Sequence, residues 1–137
     1  MKIMIVDDST IVRTVIKRYL AITKDEIVAY AANGVEAIER FKEHLPDLVT
    51  LDITMPEMNG LEALERMLEI KPDASILMIS ALSSKDTVVK AINMGAAGYL
   101  VKPVEAHQLI DKIKAIKEAA NEGSGFKRIF RWRRQLL

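Results

Sequence analysis

Five short apolar runs, each halted by polar or turn-forming residues, decide what this chain can fold into. Lys2-Ile-Met-Ile-Val6 stops at Asp7-Asp8. Ile27-Val-Ala-Tyr-Ala31 runs up to Asn33-Gly34, which is expected to turn the chain. Leu48-Val-Thr-Leu51 stops at Asp52, Ser75-Ile-Leu-Met-Ile79 at Ser80-Ala81, and Gly98-Tyr-Leu-Val101 at Lys102-Pro103. Runs this short, apolar without alternation and bounded by turn residues, predict strands buried on both faces. Between them apolar residues recur at helical spacing. Val12, Val15, Ile16, Tyr19 and Leu20 mark a first helix from Ile11, with Ser9 or Thr10 placed to cap it. Val35, Ala37, Ile38 and Phe41 mark a second, limited by Pro46. Leu61, Leu64, Met67 and Leu68 mark a third over Gly60–Ile70. A fourth runs from Ser83-Ser84 through Asn93 and is stopped by Gly95. A fifth runs from about Val104 to Ala120 with Leu109, Ile110, Ile113 and Ile116. Met67 and Met78 fall on core positions.

Strand and helix alternate five times, which predicts an α/β fold with a parallel sheet covered on both faces. Right-handed crossovers leave few windings, and the expected one is a flavodoxin-like doubly wound (βα)5 sheet of order 2-1-3-4-5. Such sheets place ligands at the carboxyl ends of the strands, where the winding changes direction between strands 1 and 3. Asp7 and Asp8 end strand 1 and Asp52 ends strand 3, so three carboxylates are expected at one edge. Ser80 and Lys102 end strands 4 and 5 and reach the same edge.

Taken singly, these residues are ordinary: Asp7 or Asp8 suits a helix N-cap, Ser80 a strand-end hydroxyl, Lys102 a solvated charge, Tyr99 half-buried packing. Together they form a chemical set. Three converging carboxylates repel one another, and a hard divalent cation such as Mg²⁺ relieves the conflict. A nucleophilic carboxylate, a cation, a hydroxyl donor and a fixed ammonium suit phosphoryl transfer onto an aspartate, where positioning and charge neutralisation supply most of the catalysis. His44 and His107 have no acidic or Cys partner at ligand spacing and read as surface residues, not phosphoryl donors.

With these residues in place, the chain resembles the receiver domain of two-component response regulators, and most of all the single-domain chemotaxis (CheY-like) type. The likeness covers residues 1 to about 120. It rests on Asp7-Asp8-Ser9 with Arg13, Asp52-Ile-Thr-Met-Pro56 with Gly60, Ser80-Ala81, and Tyr99 with Lys102-Pro103. It implies that Asp52 is the phosphoacceptor, supplied by a histidine kinase. It implies that Asp8 and Asp52 ligate Mg²⁺ with the Thr54 carbonyl, and that Asp7 acts through water. Lys102 pairs with Asp52 or its phosphate. Ser80 bonds the phosphoryl oxygen and Tyr99 turns inward when it does, so both are switch residues. Pro103 follows a cis peptide. Thr54, two residues past Asp52, borders the phosphate and bears on its lifetime.

The function so implied is a phosphorylation-activated switch, not an enzyme beyond Mg-dependent self-phosphorylation and autodephosphorylation. Its output partner binds the face of the fourth helix, fifth strand and fifth helix, with a flagellar motor switch the expected candidate. A phosphorelay intermediate is the alternative. Other owners of this fold fit poorly. A flavodoxin needs a Ser/Thr-rich phosphate loop after strand 1, where Asp7-Asp8 repels phosphate, and a haloacid-dehalogenase-type phosphatase needs a second acid that Asp52-Ile-Thr lacks.

Charge divides the chain. Residues 1–122 hold all 19 Asp and Glu and 15 of the 20 Lys and Arg, a net of −4; residues 123–137 hold five basic residues and no acid, +5. The expected organisation is a receiver domain at 1–121, then a flexible link and basic amphipathic tail at 122–137. On a helical wheel Phe126, Ile129, Phe130, Trp132, Leu136 and Leu137 span roughly 160° at about 100° per residue, with Lys127, Arg128, Arg131 and Arg134 opposite and Arg133 intruding. Three readings compete for such a segment, a helix docking on a partner protein, an anionic-membrane binder, and an appended sequence with no role, and its pattern favours the first two. DNA binding is disfavoured, since twelve residues make no helix-turn-helix. There is no cysteine and no apolar run of membrane-spanning length, which fits a cytoplasmic protein.

Overall fold

The strands are β1 (Lys2–Val6), β2 (Glu26–Ala31), β3 (Leu48–Leu51), β4 (Ser75–Ser80) and β5 (Gly98–Val101); the helices are α1 (Thr10–Leu20), α2 (Gly34–His44), α3 (Gly60–Ile70), α4 (Lys85–Asn93) and α5 (Ala106–Asn121). They come from a computed structural model that describes residues 1–121. The expected link and tail at 122–137 lie outside the described residues. The five strands form one parallel sheet of order β2-β1-β3-β4-β5, the doubly wound, flavodoxin-like α/β arrangement expected from the alternation.

Strand periodicity sorts the core into two layers. Ile3, Ile5, Leu48, Leu77 and Ile79 point to one face, where Ile16 and Leu20 of α1 and Leu109, Ile113 and Ile116 of α5 cover them. Met4, Val6, Val49, Leu51, Ile76 and Met78 point to the other, under Phe41 of α2, Leu64 and Met67 of α3 and Ala91 of α4. Met67 and Met78 are fully buried, as their periodicity required. Each such side chain contributes about 1.5–3 kcal/mol of burial, so the site rests on a stiff platform.

Helix starts are set by side-chain caps. Ser9, Asn33, Asn59 and Ser84 accept from the backbone N–H groups of Val12, Glu36, Glu62 and Thr87. Asn33-Gly34 is therefore not a free turn: Asn33 caps α2 and Gly34 is already helical. The last helix begins at Ala106, two residues later than expected. The Lys102–Pro103 peptide is cis, and the Glu105 carbonyl accepts the first helical bond, from Leu109 N–H.

Candidate functional site: an acidic cluster at the carboxyl ends of the strands

Backbone pairing carries the site residues one step beyond the sheet. Asp52 N–H donates to the Val6 carbonyl at 3.1 Å, Asp7 N–H to Ala31 at 3.1 Å, and Lys102 N–H to Ser80 at 2.9 Å. These bonds seat Asp7 beside Asp52 at the switch point and Lys102 beside Ser80. Oxygens of Asp7, Asp8 and Asp52 lie within 4.8 Å of one another. Asp7 and Asp52 are buried, at 1% and 5% exposure, while Asp8 is exposed. One edge is thus open to solvent and the inner part is dry.

Lys102 reaches both buried acids. Its Nζ donates to Asp7 Oδ2 at 2.7 Å and to Asp52 Oδ2 at 3.0 Å. Sequence reasoning expected the pairing with Asp52; the shorter contact, to Asp7, was not foreseen. Burial pushes the Asp7 carboxyl above the usual carboxylate value; the Lys102 bond and the Ser9 N–H oppose it, and the Asp52 charge adds to the rise. Burial alone would lower Lys102, but its bonds to Asp7 and Asp52 outweigh it and hold the ammonium above its ordinary value. The acids thus lock the lysine in its charged form.

Ligands of an octahedral Mg²⁺ at about 2.1 Å lie at most about 4.2 Å apart. A cluster within 4.8 Å therefore suits two direct carboxylates and a third through water. Hard oxygens only, with one exposed acid for entry, fit Mg²⁺ better than a softer metal. Thr54 borders the cluster: its N–H donates to Asp52 Oδ1 at 3.3 Å, which directs that loop around the carboxylate.

Ser80 and Tyr99 share one anchor. Ser80 is fully buried and its Oγ accepts from Leu82 N–H at 3.2 Å. The Tyr99 hydroxyl donates to the Leu82 carbonyl, and its ring packs on the core layer under α2, α3 and α4. Burial raises the Tyr99 pKa, a contact with Ser80 opposes, and the Asp52 charge adds to the rise. Leu82 was invisible in the sequence because it acts through its backbone alone. Arg13 donates to the Asp7 carbonyl and to Thr10 Oγ1, bracing the β1–α1 turn. Gly60 was read as a chain breaker; the structure gives a stricter reason. A Cβ there would lie 2.0 Å from the Asp52 carbonyl oxygen and 2.6 Å from Ile53 Cα. His107 is exposed and His44 half-buried; neither belongs to the acidic cluster.

Comparison with known proteins agrees with this geometry. The family model described as response regulator receiver domain matches residues 3–114. The chain is 46% identical over 112 residues to the chemotaxis protein CheY of Bacillus subtilis, covering 82% of this chain and 93% of that protein. It is 44% identical over 114 residues to the CheY of Listeria monocytogenes, covering 83% and 96%. Among solved structures it resembles a chain of the CheX-CheY-BeF3-Mg+2 complex from Borrelia burgdorferi, with a TM-score of 0.83 and 32% identity over 85% of this chain and 89% of that one. A CheY-like response regulator receiver domain protein from Methanospirillum hungatei gives 0.81 and 31%, over 89% and 98%. With three carboxylates and a bridging lysine at the switch point of a 2-1-3-4-5 sheet, and a family match over nearly all described residues, the chain belongs to the response regulator receiver domains and is CheY-like.

Proposed function

We propose that Asp52 accepts a phosphoryl group from the phosphohistidine of a histidine kinase, and that the acyl phosphate switches a protein-binding face. The observation that carries this reading is the convergence of Asp7, Asp8 and Asp52 within 4.8 Å with Lys102 bonded to two of them. A carboxylate oxygen of Asp52 attacks phosphorus, the P–N bond breaks, and its electron pair returns to the imidazole. Asp8, Asp52 and the Thr54 carbonyl, with Asp7 through water, would hold a bound Mg²⁺, which would supply charge neutralisation for the phosphoryl oxygens. Lys102 moves from the free carboxylate to the phosphoryl group and stays tethered by Asp7. The Ser80 hydroxyl accepts from Leu82, so its own proton remains to donate to the phosphoryl oxygen. Ser80 and Tyr99 hang on the same residue. A pull on Ser80 therefore reaches Tyr99 through Leu82 and shifts the population of packings of the α4–β5–α5 face. Water attack on the acyl phosphate resets the domain.

Similarity at 44–46% to CheY proteins, over nearly their whole length, supports a chemotaxis role in the cytoplasm, with the flagellar motor switch as output partner. The test is uptake of phosphate from a small acyl phosphate with Mg²⁺. The wild-type chain is expected to be labelled on Asp52 and chelation to abolish labelling; an Asp52→Asn chain labelled as well as wild type would refute the assignment.

A further inference from the structure

Two glycines from different parts of the chain bracket the loop that follows Asp52. Gly60 closes its far end: its N–H donates to the Ile53 carbonyl at 2.8 Å, and it lies against the Asp52 carbonyl. Gly34, the first residue of α2, meets the loop from the other side. A Cβ on Gly34 would lie 2.3 Å from the Met58 carbonyl oxygen, 2.5 Å from Met58 Cβ and 2.8 Å from the Met58 carbonyl carbon. Ordinary contact begins at 3.4 Å, so a methyl group there would have to push Met58 away by more than an ångström. No rotamer relieves the clash, because two of the three atoms are backbone and the third is set by it.

The loop takes a path it would not choose alone. Met58 N–H donates to the Pro56 carbonyl at 2.9 Å, closing a three-residue turn. Its middle residue, Glu57, has φ 69°, the rare and strained hand of that turn in a residue without glycine's freedom. Strain of this kind persists only where the surroundings fix the backbone. Thr54, Pro56, Glu57 and Asn59 are exposed and have little around them to do so. The constraint comes instead from Met55 and Met58, which pack on the core layer, and from the backbone of α2 at Gly34. Helix α2 is the stiffer partner. Asn33 caps it through the Glu36 N–H at 2.8 Å, and Ala37, Ile38 and Phe41 anchor its buried face.

We propose that Gly34 is a positioning residue for the acidic cluster, a role that rests on Asp52 and Thr54 being the Mg²⁺ ligands proposed above. By admitting Met58 to the surface of α2, Gly34 sets the path of residues 53–60, and with it the direction of the Thr54 carbonyl and of the Asp52 carboxylate. Thr54 N–H bonds Asp52 Oδ1 at 3.3 Å, so a displaced loop is felt at that oxygen. Mg²⁺ demands near-ideal octahedral placement of its ligands, which makes an ångström in the loop matter to affinity. Lys102 reaches the cluster from the end of β5 and is bonded to Asp7 as well, so it does not depend on this loop.

The sign of one substitution decides the matter. Gly34 has no positive φ, so in open space Gly34→Ala would stabilise α2. The expected result is the opposite: a lower melting temperature in chelator and, at a temperature where the chain is folded, calorimetric Mg²⁺ affinity reduced roughly tenfold or more. Ile113→Ala, in the core layer on the other face of the sheet, is expected to lower the melting temperature and leave Mg²⁺ affinity unchanged. If Gly34→Ala does not hold its fold, the Gly34→Ala, Glu57→Gly double variant replaces it. Glycine at 57 frees the loop to move off α2, so the fold is expected to return while Mg²⁺ binding stays weak. Wild-type Mg²⁺ affinity in a folded chain carrying Gly34→Ala, an equal loss of affinity in Ile113→Ala, or a double variant that stays unfolded overturns the proposal. A wild-type chain that binds no Mg²⁺ overturns the ligand assignment itself, and the role of Gly34 with it.

Discussion

Replacing Lys102 with Met tests how the site holds its own charge. The lysine is the cation bonded to both buried acids, at 2.7 Å and 3.0 Å, and its side chain is 21% exposed. Met keeps most of the stem and deletes the charge. Breaking a buried ion pair by removing one partner costs about 3–5 kcal/mol. Partial exposure of Lys102 screens some of that, but two acids lose their partner, so about 3 kcal/mol is the expected loss for the metal-free protein. At about 2.1 cal/mol/K of unfolding entropy per residue, a domain of 121 described residues should melt about 12 °C lower. Mg²⁺ bound at the same carboxylates would supply the missing positive charge, so it should stabilise the variant more than the wild type. The assay is thermal unfolding in chelator and at rising Mg²⁺. The Asp7 carboxyl, already held high by burial, should titrate higher still in the variant, as read by carboxyl-carbon chemical shifts. A variant that melts with the wild type in chelator, or whose deficit is unchanged by Mg²⁺, would refute the view that Lys102 compensates a repulsive cluster.

Thr50 Oγ1 is buried with no hydrogen-bond partner, so Thr50→Val, which keeps the shape, should raise stability by about 1 kcal/mol in urea unfolding, with phosphorylation unchanged. Gly60→Ala forces a Cβ to within 2.0 Å of the Asp52 carbonyl oxygen; the shift should lower stability by about 3 kcal/mol or more and slow labelling of Asp52 from acyl phosphate. Asp25 is desolvated, yet Lys117 and Thr23 outweigh that and hold its folded pKa below 3.8. A depressed carboxylate gives stability that is present above the unfolded value and lost as pH falls through the lower folded value. Lys117→Met should therefore cost about 1–2 kcal/mol at neutral pH, tempered by the one-third exposure of the lysine, and flatten the acid limb of a stability profile below pH 4.

What the sequence made legible follows from what each signal depends on. Strands buried on both faces leave an uninterrupted apolar run, so β1, β3 and β4 were readable almost to the residue, and the polar residue ending each run was the site residue itself. Caps were less legible. Asn33-Gly34 carries the same letters whether it turns the chain or starts a helix, and only the Glu36 N–H, three residues on, decides. The late start of α5 depends on how the chain leaves β5 through Pro103, which no apolar period records. Leu82 has no signature at all, because its backbone does the work. The Lys102–Asp7 bond belongs to this second kind. Strand ends placed Asp7, Asp52 and Lys102 on one edge, but which acid the flexible lysine meets first depends on a few tenths of an ångström in how β5 is set against β4. The buried Asp7 takes the shorter bond. A lysine tethered at Asp7 can swing its charge between the carboxylate and a phosphoryl group on Asp52 without leaving the site. On the proposed phosphorylation of Asp52, that reserve contact would let one ammonium serve both states of the domain.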